Sequence, residues 1–93
     1  MPQTESRREE RRPVRIPIRT EEGEGLDEWM VDMSSRGCRI HTPAILNVGD
    51  AVAISILSDT RSIRPLRRGH KVGTIRWEAV ALEGRSEYGI EFR

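Results

Sequence analysis

The stretch Val14-Arg15-Ile16-Pro17-Ile18-Arg19 (residues 14–19) divides into an apolar set, Val14, Ile16 and Ile18, and a polar set, Arg15, Pro17 and Arg19. A period of two is the mark of a half-buried β-strand, because successive side chains leave a pleated strand on opposite sides. Pro17 has no N–H to give to a ladder, so this strand is expected at a sheet edge or at a bulge. Residues 1–12, by contrast, are polar, densely charged and without an apolar period. They read as a flexible arm, with the folded domain over 13–93.

The same period recurs along the chain. After a turn at Glu21–Gly25, a strand over about Leu26–Met33 places Trp29, Val31 and Met33 on one face, expected to be the core face, and Met30 and Asp32 on the other. Ser34–Gly37 is a tight connection into Cys38, Ile40 and Thr42, which alternate with Arg39 and His41. Cys38 reads as a small core residue. Asn47-Val48-Gly49-Asp50 is a turn signal, and it opens a strand with Val52, Ile54 and Ile56 inward. A basic loop to about Gly69 leads to a strand from His70 to about Ala81, and the last strand, Glu87–Phe92, alternates through Tyr88, Ile90 and Phe92. Ala79–Gly84 fits a hairpin better than a helix. Six short strands with Gly, Pro and Asp between them predict an all-β fold: a six-stranded antiparallel split β-barrel, or a small sandwich, with little or no helix. Closure would also remove the exposed edges of an open sheet.

Ninety-three residues give one domain. A chain of this size buries only about 60–65% of its unfolded surface, so little apolar sequence is spare. No apolar run approaches the ~20 residues that cross a bilayer, and the N-terminus lacks the apolar core of a signal peptide. The expectation is a soluble, cytoplasmic protein without membrane insertion. The single cysteine, Cys38, cannot form an internal disulfide, which suits a reducing compartment. His41 and His70 have no partners at metal-ligand spacing, so neither a metal nor a cofactor is expected.

Net charge is only +1, against a general DNA binder, but the basic residues are clustered. Arg7, Arg8, Arg11, Arg12, Arg15 and Arg19 form one group, and Arg61, Arg64, Arg67, Arg68 and Lys71 a second. Nearly all are Arg, whose planar fork pairs bidentately with phosphate or a guanine edge and stacks on flat rings. A solvated tail and an exposed loop are the plainer readings of the two clusters.

Two motifs carry chemistry. One is Arg11-Arg12-Pro13-Val14-Arg15-Ile16-Pro17; the other is Asp32-Met33-Ser34-Ser35-Arg36-Gly37, between two strands. Trp77 and the closing strand Tyr88-Gly89-Ile90-Glu91-Phe92 complete the set. In this order they resemble the PilZ domain family, bacterial receptors for the second messenger cyclic di-GMP. The family signature is an Arg-x-x-x-Arg arm, an Asp/Asn-x-Ser-x-x-Gly turn and a closing strand ending in Gly-x-x-Phe. Asp32, Ser34 and Gly37 match the turn, Gly89 and Phe92 the closing strand, and the resemblance spans roughly residues 8–92.

The register of the arm is open. Arg7/Arg11, Arg8/Arg12 and Arg11/Arg15 all satisfy the spacing, and Arg11/Arg15 is preferred because Arg15-Ile16-Pro17 runs straight into the first strand, as family arms do. Relatives with an extra arginine just before the motif bind a stacked pair of ligands. That position is Glu10 in this register and Arg7 in the Arg8/Arg12 register, so the stoichiometry stays open as well.

The resemblance implies a cyclic di-GMP site made of Arg8, Arg11, Arg12, Arg15, Asp32, Ser34 and Gly37, with Arg39 and Trp77 as secondary candidates. The chemistry suits those residue types. Arginine reads guanine O6/N7 and phosphate, a carboxylate accepts from the N1–H and N2–H₂ edge, and a serine hydroxyl bonds either. Gly37 is expected to turn with positive φ and to bring backbone close to the ligand. The arm then folds over the bound molecule.

Plainer roles compete. Asp32 and Ser34 suit a structural turn; Arg39 and His41 share a face beside the turn and either line the site or are solvated, with solvation slightly preferred for His41. Core packing is preferred over a ligand platform for Trp77. A hydrolase built on Asp32, Ser34 and His41 lacks a strand-to-helix elbow for the serine and the scaffold for a pocket, so no enzyme is expected. An RNA-binding barrel is short of aromatics at 4%. The remaining rival is a PilZ-like adaptor that contacts proteins without nucleotide. The resemblance also implies a downstream protein partner in motility, exopolysaccharide or secretion machinery. Because the chain ends at Arg93, just after the closing strand, a free-standing domain that signals through its own surface is expected.

Overall fold

The alternation seen in the sequence produces six antiparallel strands. The computed structural model describes residues 12–57, 70–81 and 84–93, with only the backbone of Arg12 and His70. The N-terminal arm through Arg11, the side chain of Arg12, and the loop carrying Arg61, Arg64, Arg67 and Arg68 lie outside the described residues. In chain order the strands are β1 (Arg12–Thr20), β2 (Trp29–Met33), β3 (Gly37–Thr42), β4 (Ala51–Ile56), β5 (His70–Val80) and β6 (Ser86–Phe92). No helix occurs among the described residues.

The strands close into a ring in the order β1-β2-β3-β6-β5-β4. Closure falls on β1, which divides its hydrogen bonds between two neighbours. Its first part pairs with β2 (Pro13 with Asp32, Pro17 with Trp29), and its last three residues pair with β4 (Ile18 with Ile56, Thr20 with Ile54). This is the split barrel that the strand pattern predicts, and it leaves no strand with an unpaired side. β1 is therefore not an edge. Its irregularity lies between Pro13 and Ile16 rather than at Pro17, whose carbonyl accepts from Leu57 N–H at 3.1 Å.

The core holds Ile18, Met30, Cys38, Ile40, Val52, Ile54, Ile75, Tyr88 and Ile90, with Val14, Ile16, Met33 and Phe92 packed at its margin. β1, β3, β4 and β6 thus bury the faces that their alternation indicates. Tyr88 is fully buried, and its hydroxyl accepts from Leu46 N–H at 2.9 Å, tying the β3–β4 connection to the barrel.

One core residue is a carboxyl group that the sequence did not single out. Glu28, just before β2, is 2% exposed. It accepts from Thr20 N–H (2.9 Å), Gly25 N–H (2.9 Å), Thr42 Oγ1 (2.8 Å) and Thr20 Oγ1. It therefore joins the end of β1, the loop after it and the end of β3 through donors that would otherwise be buried without acceptors. A buried polar group supplied with this many partners rigidifies; one deprived of them is costly. Replacing Glu28 with alanine should lower the unfolding free energy by on the order of 3 kcal/mol, measured by urea denaturation, because several donors lose their acceptor together.

Candidate functional site

The outer surface of β2, β3, β6 and β5 carries one transverse row of residues: Asp32 opposite Arg39, Arg39 opposite Gly89, and Gly89 opposite Trp77. Side chains that face one another across antiparallel strands point to the same side. Cys38 and Ile40 are in the core, so Arg39 and the residues in line with it face outward.

Asp32 and Trp77 reach this row through irregularities in their own strands. Between Met30 and Asp32, β2 contains one residue more than β3, and between Ile75 and Trp77, β5 contains one more than β6. Each extra residue, Val31 and Arg76, reverses the inward–outward alternation beyond it, as a β-bulge does. Two expectations are corrected by this. Met30 and Met33, rather than Trp29, Val31 and Met33, are the residues of β2 that meet the core. Trp77, two residues after the core residue Ile75, points outward and is 41% exposed, so it is not a core indole. Trp29 is half-buried on the outer side, paired with Pro17 and His41.

The turn between β2 and β3 is closed by Ser34. Its hydroxyl accepts from Arg36 N–H (3.2 Å) and Gly37 N–H (3.3 Å), and its own N–H donates to the Gly37 carbonyl at 2.8 Å. The expectation that Gly37 adopts positive φ is not met: among the described residues, the glycines in that region are Gly25, Gly49 and Gly84. Gly37 lacks a side chain for a different reason. A Cβ there would lie 2.0 Å from the Ile90 carbonyl oxygen, so the residue lets the turn press against β6.

Asp32 is 4% exposed and pairs with Arg39 at 3.1 Å. Arg39 also reaches Glu87 at 3.1 Å, and Glu87 holds His41 Nε2 at 3.3 Å. Arg39 thus sits between two carboxylates and His41 is engaged, so neither is merely solvated. Alongside them, Trp77, Arg76, Arg36 and Glu91 surround an open cleft of about 300 Å³ whose floor is the backbone of Gly37, Gly89 and Ile90. Arg76 is bound to Glu91 at 2.5 Å. Arg36 has no ion pair among the described residues. The sequence passed over Arg36, Arg76 and Glu91; the only signal for them was position, each lying within two residues of a motif residue or of Trp77.

A second cluster lies beside the first. The Arg15 guanidinium stands 4.6 Å from the centre of the Trp29 ring. Asp27, in the loop before β2, pairs with Arg85. A hydrogen bond from Arg85 is the main reason its carboxyl titrates below the usual aspartate value, and a hydrogen bond from Trp29 adds to it. Of the four arginines expected to bind ligand from the arm and the start of β1 (Arg8, Arg11, Arg12 and Arg15), Arg15 is the one whose side chain is described; it is exposed on the outer side of β1. Among the described residues, no group of His, Cys, Asp and Glu is arranged to hold a metal ion, and no helix is long and apolar enough to cross a membrane.

A family model for the PilZ domain matches residues 5–93. The chain belongs to the PilZ domain family. No curated protein matches it. PilZ domains are binding and adaptor modules rather than catalysts, and the family is generally associated with cyclic di-GMP. In this PilZ domain the Asp-x-Ser-x-x-Gly turn and the Gly-x-x-Phe strand come together physically: Gly37 lies opposite Glu91, and Phe92 N–H donates to the Arg36 carbonyl at 2.7 Å.

Gly89 links the motif to the cleft. A Cβ on it would lie 2.1 Å from the Trp77 ring, so the indole can rest on β6 only because position 89 has no side chain. Gly89→Ala should push the indole off the strand, red-shifting tryptophan emission and costing roughly 1–3 kcal/mol in thermal or urea unfolding.

Proposed function

We propose that this PilZ domain is a bacterial, cytoplasmic cyclic di-GMP receptor that signals through its altered surface to a partner protein. The observation that carries this reading is the row Asp32–Arg39–Gly89–Trp77, in which an arginine and a half-exposed indole line one cleft and a carboxylate pairs with that arginine beside it. An aromatic face stacks a base, with about 1–3 kcal/mol lost per base when such a ring is removed. Arg36 and Arg76 on the cleft walls supply positive charge for a phosphate. Asp32 is suited to accept from the donor edge of guanine; Ser34 and Gly37 hold the turn in shape beside it.

The cleft, at about 300 Å³, is at the small end of ligand sites. It suits one base and its phosphate, leaving the rest of a cyclic dinucleotide to be covered from outside. Arg15 stands at the start of the barrel, and Arg8, Arg11 and Arg12 precede it in the chain. These arginines are the groups proposed to fold over the exposed part of the ligand. The arm would then present a new surface, and the partner would be a protein of the motility, exopolysaccharide or secretion machinery. No cofactor takes part.

Isothermal calorimetry with cyclic di-GMP should give a dissociation constant in the micromolar range or tighter, on the order of −8 kcal/mol. GTP and single-stranded RNA should bind far more weakly. Arg15→Ala and Asp32→Ala should each weaken cyclic di-GMP by at least about tenfold, a loss of roughly 1.4 kcal/mol. Comparing Arg8→Ala with Arg11→Ala fixes the register of the arm. An absence of heat with cyclic di-GMP would overturn the reading and leave the nucleotide-independent adaptor in its place.

A further inference from the structure

We infer that Trp29 is a positioning residue for Arg15: its outward-facing indole is the seat on which that guanidinium is held ready for the ligand. The inference rests on the proposed cyclic di-GMP site, because it assigns to Trp29 a part in presenting one of the arginines of that site.

Three observations support it. The guanidinium lies 4.6 Å from the indole centroid, well within cation–π range. The indole is not held there by the core: Trp29 is half-buried on the outer face, next to the bulge that turns Asp32 outward. Finally, β1 and β2 bring the seat near the site, since Pro13 pairs with Asp32 and Pro17 with Trp29, and Arg15 lies between the two.

The consequence for binding follows from entropy. An exposed arginine loses much rotamer freedom when it is fixed on a ligand. A guanidinium already stacked on an indole has given up part of that freedom beforehand. One of its faces is covered by Trp29, while its N–H groups remain available to phosphate or to a guanine edge. Trp29 thus contributes to affinity without touching the ligand.

The test is a double-mutant cycle read by calorimetry with cyclic di-GMP, using the wild type, Trp29→Leu, Arg15→Ala and the double variant. Trp29→Leu should weaken binding roughly two- to five-fold, as expected of one cation–π contact at an exposed site. Trp29→Phe, which keeps a ring, should recover most of that loss. In the Arg15→Ala background Trp29→Leu should have no further effect, whereas a merely structural role would cost the same in both backgrounds. Equal losses in the two backgrounds, or tighter binding by Trp29→Leu, would overturn the inference while leaving the cyclic di-GMP reading intact; a wild type that does not bind would remove both.

A ligand-free measurement guards against a variant that folds poorly. The chain has two tryptophans, so Trp77→Phe leaves Trp29 as its one indole. In that background Arg15→Ala should shift the emission maximum or intensity of Trp29 before any ligand is added. An unchanged spectrum overturns the seat.

Discussion

The outer face of this barrel depends on two extra residues in the hydrogen-bond ladders, Val31 in β2 and Arg76 in β5. Without the first, Asp32 would share the side of Met30 and enter the core, where an aspartate has no cation to meet. Without the second, Trp77 would follow Ile75 inward. A single inserted residue reverses every side chain beyond it, because strand alternation has a period of two. Both insertions flank the β3–β6 pair, which runs in unbroken register from Gly37–Glu91 to Thr42–Ser86. That regular pair is the fixed base, and the two bulges turn the neighbouring strands' polar and aromatic groups onto it.

Much of the barrel was legible because its strands are locally consistent. β4 alternates without interruption and buries Val52, Ile54 and Ile56 as its sequence indicates; β6 likewise buries Tyr88 and Ile90. The turn motif was legible too, since Asp32, Ser34 and Gly37 are recognisable by type and spacing. The tryptophans were not. Whether a strand contains a bulge depends on how many residues its partner contributes to the same stretch of ladder, and the partner lies far along the chain: Met30 pairs with Ile40, and Trp77 with Gly89. Glu28 carries no local sequence signal, for a related reason. Its acceptor role depends on Thr20 and Thr42, donors from two other strand ends that no local pattern connects.

The glycines show how a motif residue can be identified correctly and explained wrongly. Gly37 was expected to permit an unusual backbone angle, but its φ is ordinary and the pressure comes from across the sheet, where the Ile90 carbonyl occupies the place of a Cβ. Gly89 is constrained in the same way, by an indole instead of a backbone. Both are glycines of close approach. They let the turn and the Trp77 ring come close to β6, which is a packing requirement rather than a conformational one.

The aromatic residues are placed unusually for so small a domain. The chain has two Trp, one Tyr and one Phe. Tyr88 alone is fully buried and Phe92 is partly so, while both indoles lie at the surface. For a domain this small, each large aromatic side chain left out of the core forgoes about 2–3 kcal/mol of burial energy. Folding alone does not explain that choice. The barrel fills its interior with isoleucine and methionine and relies on buried contacts such as those of Glu28. The two indoles stand where arginines meet them: half-buried Trp29 beneath Arg15, and Trp77 in the cleft with Arg36, Arg39 and Arg76. Local rules broken in this way, with the fold compensating elsewhere, are expected at functional or strained sites.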